Sequence, residues 1–382
     1  MAKPNPFGGA PRRILAGAIA VGLVGVAGTL GTGDATADEN ALIVPGAHAP
    51  GVPWMEYADL TGRGYYPNAN RQIVDYPGGM IYGQLAQVLP GSGLDPTSVG
   101  QSVVTGRTNL DAAIRDTPGP NVAIGLSEGT MVLGATQASL ANDPTAPPPD
   151  QLSFTVFSDP MRHHAYGHSI LAALSPGTYV PILDYAIPQP VESQYDTKVI
   201  VAEYDGVADF PDDTSNVLSV LNAIVGMGTS HTQAAFTSEA DVPPGNIVTT
   251  VNSRGARTTT YLLPTEHLPL TVLLRVMGLP DPVTDQLDGT LRPMVDAGYA
   301  RHGAKPAQPI VLDAATQASL NNTGQELTNA AQTFAIDPKT QADIGSVVKQ
   351  VSASVPQVKL DPVTQSNVDN MMQRARDLNL MP

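Results

Sequence analysis

The sequence predicts an α/β fold, a mostly parallel sheet with helices on both faces. Short apolar stretches recur along the chain, and helical patterns stand between several of them. Short apolar strands alternating with helices argue for a sheet covered on both faces. The expected strands are "ALIVPG" at 41–46, "RQIVDYPGG" at 71–79, "NVAIGLS" at 121–127, "QLSFTVFSDP" at 151–160, "TKVIVAEYD" at 197–205 and "TTTYLLPT" at 258–265. The stretch 197–205 is rich in β-branched residues, as a strand is. Between the second and third, 98–117 spaces Val99, Val103, Leu110 and Ile114 as a helix does. Residues 128–143 read as the helix after the third strand, and 268–277 and 285–300 as helices after the sixth. In such sheets ligands sit beyond the carboxyl ends of the strands, so the residues just after each strand matter most.

Charged residues are only 14% of the 382, which suits a large core under a lightly charged surface. The formal net charge is −15. Such a surface repels nucleic acid and anionic lipid headgroups, so a lipid partner would be met through apolar or neutral polar groups. Cysteine is absent, which excludes disulfides, thiol nucleophiles and zinc–thiolate sites.

Residues 1–37 read as an export segment. Lys3, Arg12 and Arg13 precede an uncharged apolar run at 14–31, and Ala35-Thr36-Ala37 fits a small-x-small cleavage site. Eighteen apolar residues are also enough to span a bilayer, so a cleaved signal peptide and a retained membrane anchor are both open. Residues 303–382, rich in Gln, Asn, Thr, Ser and Ala, read as a helical or partly disordered extension.

The third strand runs into Gly125-Leu126-Ser127-Glu128-Gly129, a G-x-S-x-G motif at a strand-to-helix junction. That is the context of a nucleophile elbow, in which a sharp turn lifts the serine out of the chain. The ordinary alternative is a serine capping the following helix. A serine nucleophile needs a base, and seven histidines are available. An α/β-hydrolase places acid and then histidine after the serine, each beyond a later strand. The tip of the fifth strand offers Asp205, with Asp209 as the alternative acid or as a brace for the loop's amides. The tip of the sixth offers His267, whose alternative is a loop residue beside Glu266. Oxyanion donors are expected from the amides of Glu128 and of Ala47 or His48, in "VPGAHAPG" at 44–51. The apolar stretch after the acid, 211–231, reads either as a lid or as a covering helix of the core. As a lid it would present Leu218, Leu221, Val225 and Met227 to substrate and hinge at Gly226 and Gly228. His163, His164 and His168 cluster, but Pro160 and Gly167 argue for a loop. No HExxH spacing accompanies them, so no metal is assigned.

Taken in order, "ALIVPG", "GLSEGT", "PDQLSFTVFSDPMR", "YVPILDY", "EYDGVADFP", "YLLPTEHLPL" and "LRPMVDAGY" resemble the mycobacterial PE-PPE domain family, a cutinase-like branch of serine α/β-hydrolases. The resemblance covers about residues 41–302. With an export or anchor segment ahead of the domain, the chain looks like members that transfer acyl chains between trehalose glycolipids of the cell envelope. It implies Ser127 as nucleophile, His267 as base and Asp205 as orienting acid, with no cofactor. It also implies an acylated trehalose or other lipid ester as substrate, and contact with the membrane through the N-terminal segment. Two departures stand out: secreted cutinases carry disulfides and this chain has none, and "PGAHAPG" replaces the usual "GGT" of the first loop. Water as acceptor would make an esterase, a sugar hydroxyl an acyltransferase. A catalytically inactive lipid-binding fold is the alternative from another class.

Overall fold

The computed structural model describes residues 39–48, 54–79 and 96–307. The expected export or anchor segment and nearly all of the C-terminal extension lie outside the described residues.

Seven strands form one sheet: β1 (Asn40–Val44), β2 (Asn70–Ile73), β3 (Asn121–Leu126), β4 (Leu152–Phe157), β5 (Thr197–Ala202), β6 (Ile247–Val251) and β7 (Arg257–Leu263). Their spatial order is β6-β7-β5-β4-β3-β1-β2. All pairings are parallel except β6 with β7. The α/β architecture expected from sequence is therefore the one observed. Side chains along the central strands alternate between two cores. Leu42, Val44, Ala123, Phe154, Val156, Val199 and Val201 face one. Ala41, Ile43, Val122, Ile124, Phe157, Ile200 and Ala202 face the other.

Helices α2 (Val99–Asp116) and α3 (Glu128–Leu140) cover the first face, with Val103, Leu110, Met131 and Leu133 in that core. A capping box starts α2: Ser98 Oγ accepts the Gln101 N–H at 3.1 Å, and Gln101 Oε1 accepts the Ser98 N–H at 3.2 Å. The second face is covered by α1 (Trp54–Leu60), through Ala58, and by a 3₁₀ turn at Gln233–Phe236, through Ala234 and Ala235.

A third group of helices sits beyond the strand tips: α4 (Val217–Thr229), α5 (Pro269–Val276) and α6 (Asp281–Asp296). They close around Tyr204, Leu218, Leu268, Leu291, Val295 and Tyr299. The antiparallel edge strand β6 has no counterpart among the sequence expectations. Four of its five residues are exposed, so it lacks the apolar run by which the others were legible.

Candidate active site

Ser127 follows β3 directly, with φ 50° and ψ −119°, a conformation that L-residues adopt only under strain. The surroundings impose it. Its amide donates to Phe157 O on β4 at 2.9 Å, and its carbonyl accepts the Thr130 N–H at 2.9 Å. The glycines on either side allow the close approach. A Cβ on Gly129 would lie 2.3 Å from Val44 O and 2.4 Å from Pro45 O, and one on Gly125 would lie 3.0 Å from Gly129 O. The Ser127 side chain makes no cap hydrogen bond to α3. Its Oγ instead lies 2.9 Å from His231 Nε2.

His231 is the histidine that the structure brings to Ser127, and sequence reasoning missed it. Its Nδ1 lies 3.0 Å from Asp205 Oδ1 and 3.1 Å from Oδ2. Ser127, His231 and Asp205 thus form one hydrogen-bonded chain. Asp205 is fully buried at the end of β5, where Val207 N–H and Ala208 N–H also donate to Oδ1 at 2.9 and 3.3 Å. Burial alone would push its pKa up. The nearby imidazole, the hydrogen bonds from His231 and Val207, and one from Ser158 outweigh that and hold it below the usual carboxylate range. The carboxylate is ionised, as orienting an imidazole requires.

His267 does not join this chain, and its assignment as the base is corrected. It follows β7, with Nε2 3.8 Å from Glu266 Oε1, the loop position that was its alternative reading. The histidine at the site comes from the end of a helix instead. Ser230 N and His231 N both donate to Gly226 O at 2.9 Å, which turns the chain out of α4 and over Ser127. That helix lies against the acid turn almost backbone to backbone. A Cβ on Gly206 would meet Ala223 O at 1.8 Å, and one on Gly226 would meet Tyr204 O at 1.9 Å. Gly226 is thus a packing contact, not the hinge suggested by sequence.

Asp209, the alternative acid, is also fully buried but serves the loop. Its oxygens pair with Arg301 Nη1 and Nη2 at 2.7 and 2.9 Å, and Oδ2 accepts the Tyr204 N–H at 2.8 Å. That bond holds the residue before Asp205, itself at φ 59°.

Of the oxyanion candidates, Glu128 opens α3, where its amide has no acceptor within the helix. Gly46 lies against the serine, its Cβ direction 3.5 Å from Ser127 Cβ, so the loop through Ala47 runs beside Ser127. The His48 amide is spent on Gly78 O at 2.9 Å, which removes it from the expected donors. The His48 ring instead stacks on Trp54 at 3.9 Å.

The Glu128 side chain turns inward, is 5% exposed, and leaves Oε1 without a hydrogen-bond partner among the described residues. Burial raises its pKa well above 4.5, against smaller opposing effects of the Ser102 hydroxyl and the Gly79 amide. The folded state therefore holds this proton more tightly than the unfolded chain. The stability it contributes is complete below about pH 4.5 and declines as pH rises towards the folded pKa. Glu128→Gln, neutral at every pH, should match wild type in thermal unfolding at pH 4 and exceed it increasingly as pH rises above 5 towards the folded pKa. An equal difference at all pH values would contradict this.

The PE-PPE domain family is matched over residues 67–300. The chain belongs to the PE-PPE domain family. The diacyltrehalose acyltransferase Chp2 of Mycobacterium tuberculosis is 46% identical over 329 residues, covering 79% of this chain and 92% of its own length. The SL1278 acyltransferase Chp1 of the same organism is 45% identical, covering 80% of this chain and 74% of its own length. The esterase PE16, also from that organism, is 34% identical over 57% of this chain and 41% of its own length.

The proposed substrate wall of this PE-PPE domain divides when placed in the structure. Leu218 is buried in the core beyond the strand tips and Leu221 packs against it, so neither is a free wall. Leu218 is accordingly corrected to a core residue. Val225 is half-buried, while Met227 is 36% exposed and reaches the Gly206 turn beside Asp205. The stretch is a packed covering helix with an apolar outer face, Ile224 and Met227. Among the clustered histidines, His164 spends both ring nitrogens locally: Nε2 donates to Ala208 O at 3.0 Å and Nδ1 accepts the Tyr166 N–H at 3.3 Å. His168 Nδ1 donates to Ser169 O at 2.9 Å.

Proposed function

We propose that this protein is a serine acyltransferase that moves acyl chains between trehalose-based glycolipids through a Ser127 acyl-enzyme. The observation that carries the chemistry is Ser127 Oγ at 2.9 Å from His231 Nε2, with the opposite ring nitrogen on ionised Asp205. Ser127 Oγ attacks the ester carbonyl while His231 takes its proton. The carbonyl oxygen becomes an oxyanion, met by the amides of Glu128 and the 46–47 loop. His231 returns the proton to the departing sugar oxygen, which leaves an acyl ester on Ser127. An acceptor hydroxyl then gives its proton to His231 and attacks that ester, and His231 passes the proton to Ser127 Oγ as it leaves.

Transfer rather than hydrolysis is supported by the names of the two relatives at 46% and 45% identity, each matched over about four-fifths of this chain. Hydrolysis is the second reading, favoured by the name of the 34% relative. Action outside the cytoplasm, anchored or secreted, rests on the apolar run at 14–31 and the Ala35-Thr36-Ala37 site. The domain is taken as 41–302.

Incubation with a diacylated trehalose, followed by mass analysis of the lipids, tests the reaction. Transfer gives a more highly acylated trehalose together with a less acylated one, and both vanish in Ser127→Ala. Free fatty acid alone would make the protein an esterase.

A further inference from the structure

Three adjacent strand tips meet at the site. β3 runs into Ser127, β5 runs out towards Asp205, and β4 lies between them and runs into Ser158. Ser158 is fully buried and has φ 55°, the region that favours glycine, yet it carries a side chain. Its amide donates to Ile200 O at 3.2 Å, which seats it against β5. Oγ accepts the amide N–H of Thr232, the residue after His231, at 3.3 Å, and the same hydroxyl is among the groups that hold the Asp205 carboxyl below its usual range. A backbone N–H can only donate and an ionised carboxylate can only accept. The Ser158 oxygen therefore accepts from Thr232, and its O–H is the part of the group left to face Asp205. Thr232 is itself held at φ 76°.

We propose that Ser158 is a positioning residue of the active site, joining the acid to the backbone that carries the base, so that His231 Nε2 stays on Ser127 Oγ. The inference rests on the reading of Ser127 as nucleophile. Ser158 acts through Asp205 and His231, not on the substrate. Glycine would fit this backbone without strain, so what serine adds here is the hydroxyl. Threonine cannot test it, because a β-branched residue is strained further at positive φ.

Full-length wild type, Ser158→Gly, Ser158→Ala and Ser127→Ala are treated with an alkyl fluorophosphonate over a range of concentrations. The His231 Nδ1–H proton is followed by NMR in the same proteins. Ser158→Gly relieves the backbone, so it should unfold at or above the wild-type temperature. Its maximal inactivation rate should fall about tenfold, the loss of one hydrogen bond's worth of alignment. Its half-saturating concentration should stay within about twofold, because the binding surface is untouched. The imidazole proton should move downfield, since Asp205 without the serine donor accepts it more strongly. Ser158→Ala should behave likewise. An unchanged inactivation rate or an unmoved resonance in both variants overturns the role of Ser158 alone. A wild type that takes no label overturns the nucleophile reading and this role with it.

Discussion

Replacing His231 by alanine should lower acyl turnover on the order of 10⁴- to 10⁶-fold, because the Ser127 proton then has no acceptor. His267→Ala should leave turnover within about twofold, as expected of a loop substitution away from the reacting atoms. The pair is decisive because both histidines follow Ser127 and Asp205 in the chain. Only His231 has its two nitrogens on Ser127 Oγ and Asp205. Steady-state rates on an acylated trehalose, with circular dichroism to confirm folding, measure the difference. Equal losses in the two variants would contradict the geometry.

Asp205→Asn should lower kcat on the order of 10⁴-fold while the protein stays folded, because an amide no longer holds the imidazole in the productive tautomer. Asp209→Asn should behave in the opposite way. It breaks a buried ion pair with Arg301, the two side chains 0% and 8% exposed, and such a loss costs about 3–5 kcal/mol of stability. The Asp205–His231 contact persists in the molecules that remain folded. Denaturant unfolding together with kcat corrected for the folded fraction separates the two effects. Near-normal turnover in Asp205→Asn with none in folded Asp209→Asn would reverse the roles.

Much of the fold was legible because the central strands are buried on both faces, which writes them as continuous apolar runs. β6 was not, since an exposed edge strand leaves no such mark. At the site, Ser127 was legible because the elbow needs Gly125 and Gly129 at defined places beside it. Asp205 was legible because it stands at a strand tip. His267 stands at a strand tip too, and that misled. The base arrives from the C-terminal end of α4, and its position depends on the contacts of Gly206 with Ala223 and of Gly226 with Tyr204. Those contacts join segments distant in the chain, and no local pattern records them. One signal was present: a histidine placed directly after an apolar, glycine-containing helix that follows the acid. Ser158 carried no signal, because its positive φ and its contact with the Thr232 amide are visible only in three dimensions.

The most direct measurement is intact-protein mass and peptide mapping after brief exposure to a fluorophosphonate, applied to wild type, His231→Ala and His267→Ala. A single adduct on Ser127 is expected in wild type and in His267→Ala, and almost none in His231→Ala over the same time. Adduct formation lost in His267→Ala but retained in His231→Ala would contradict the account.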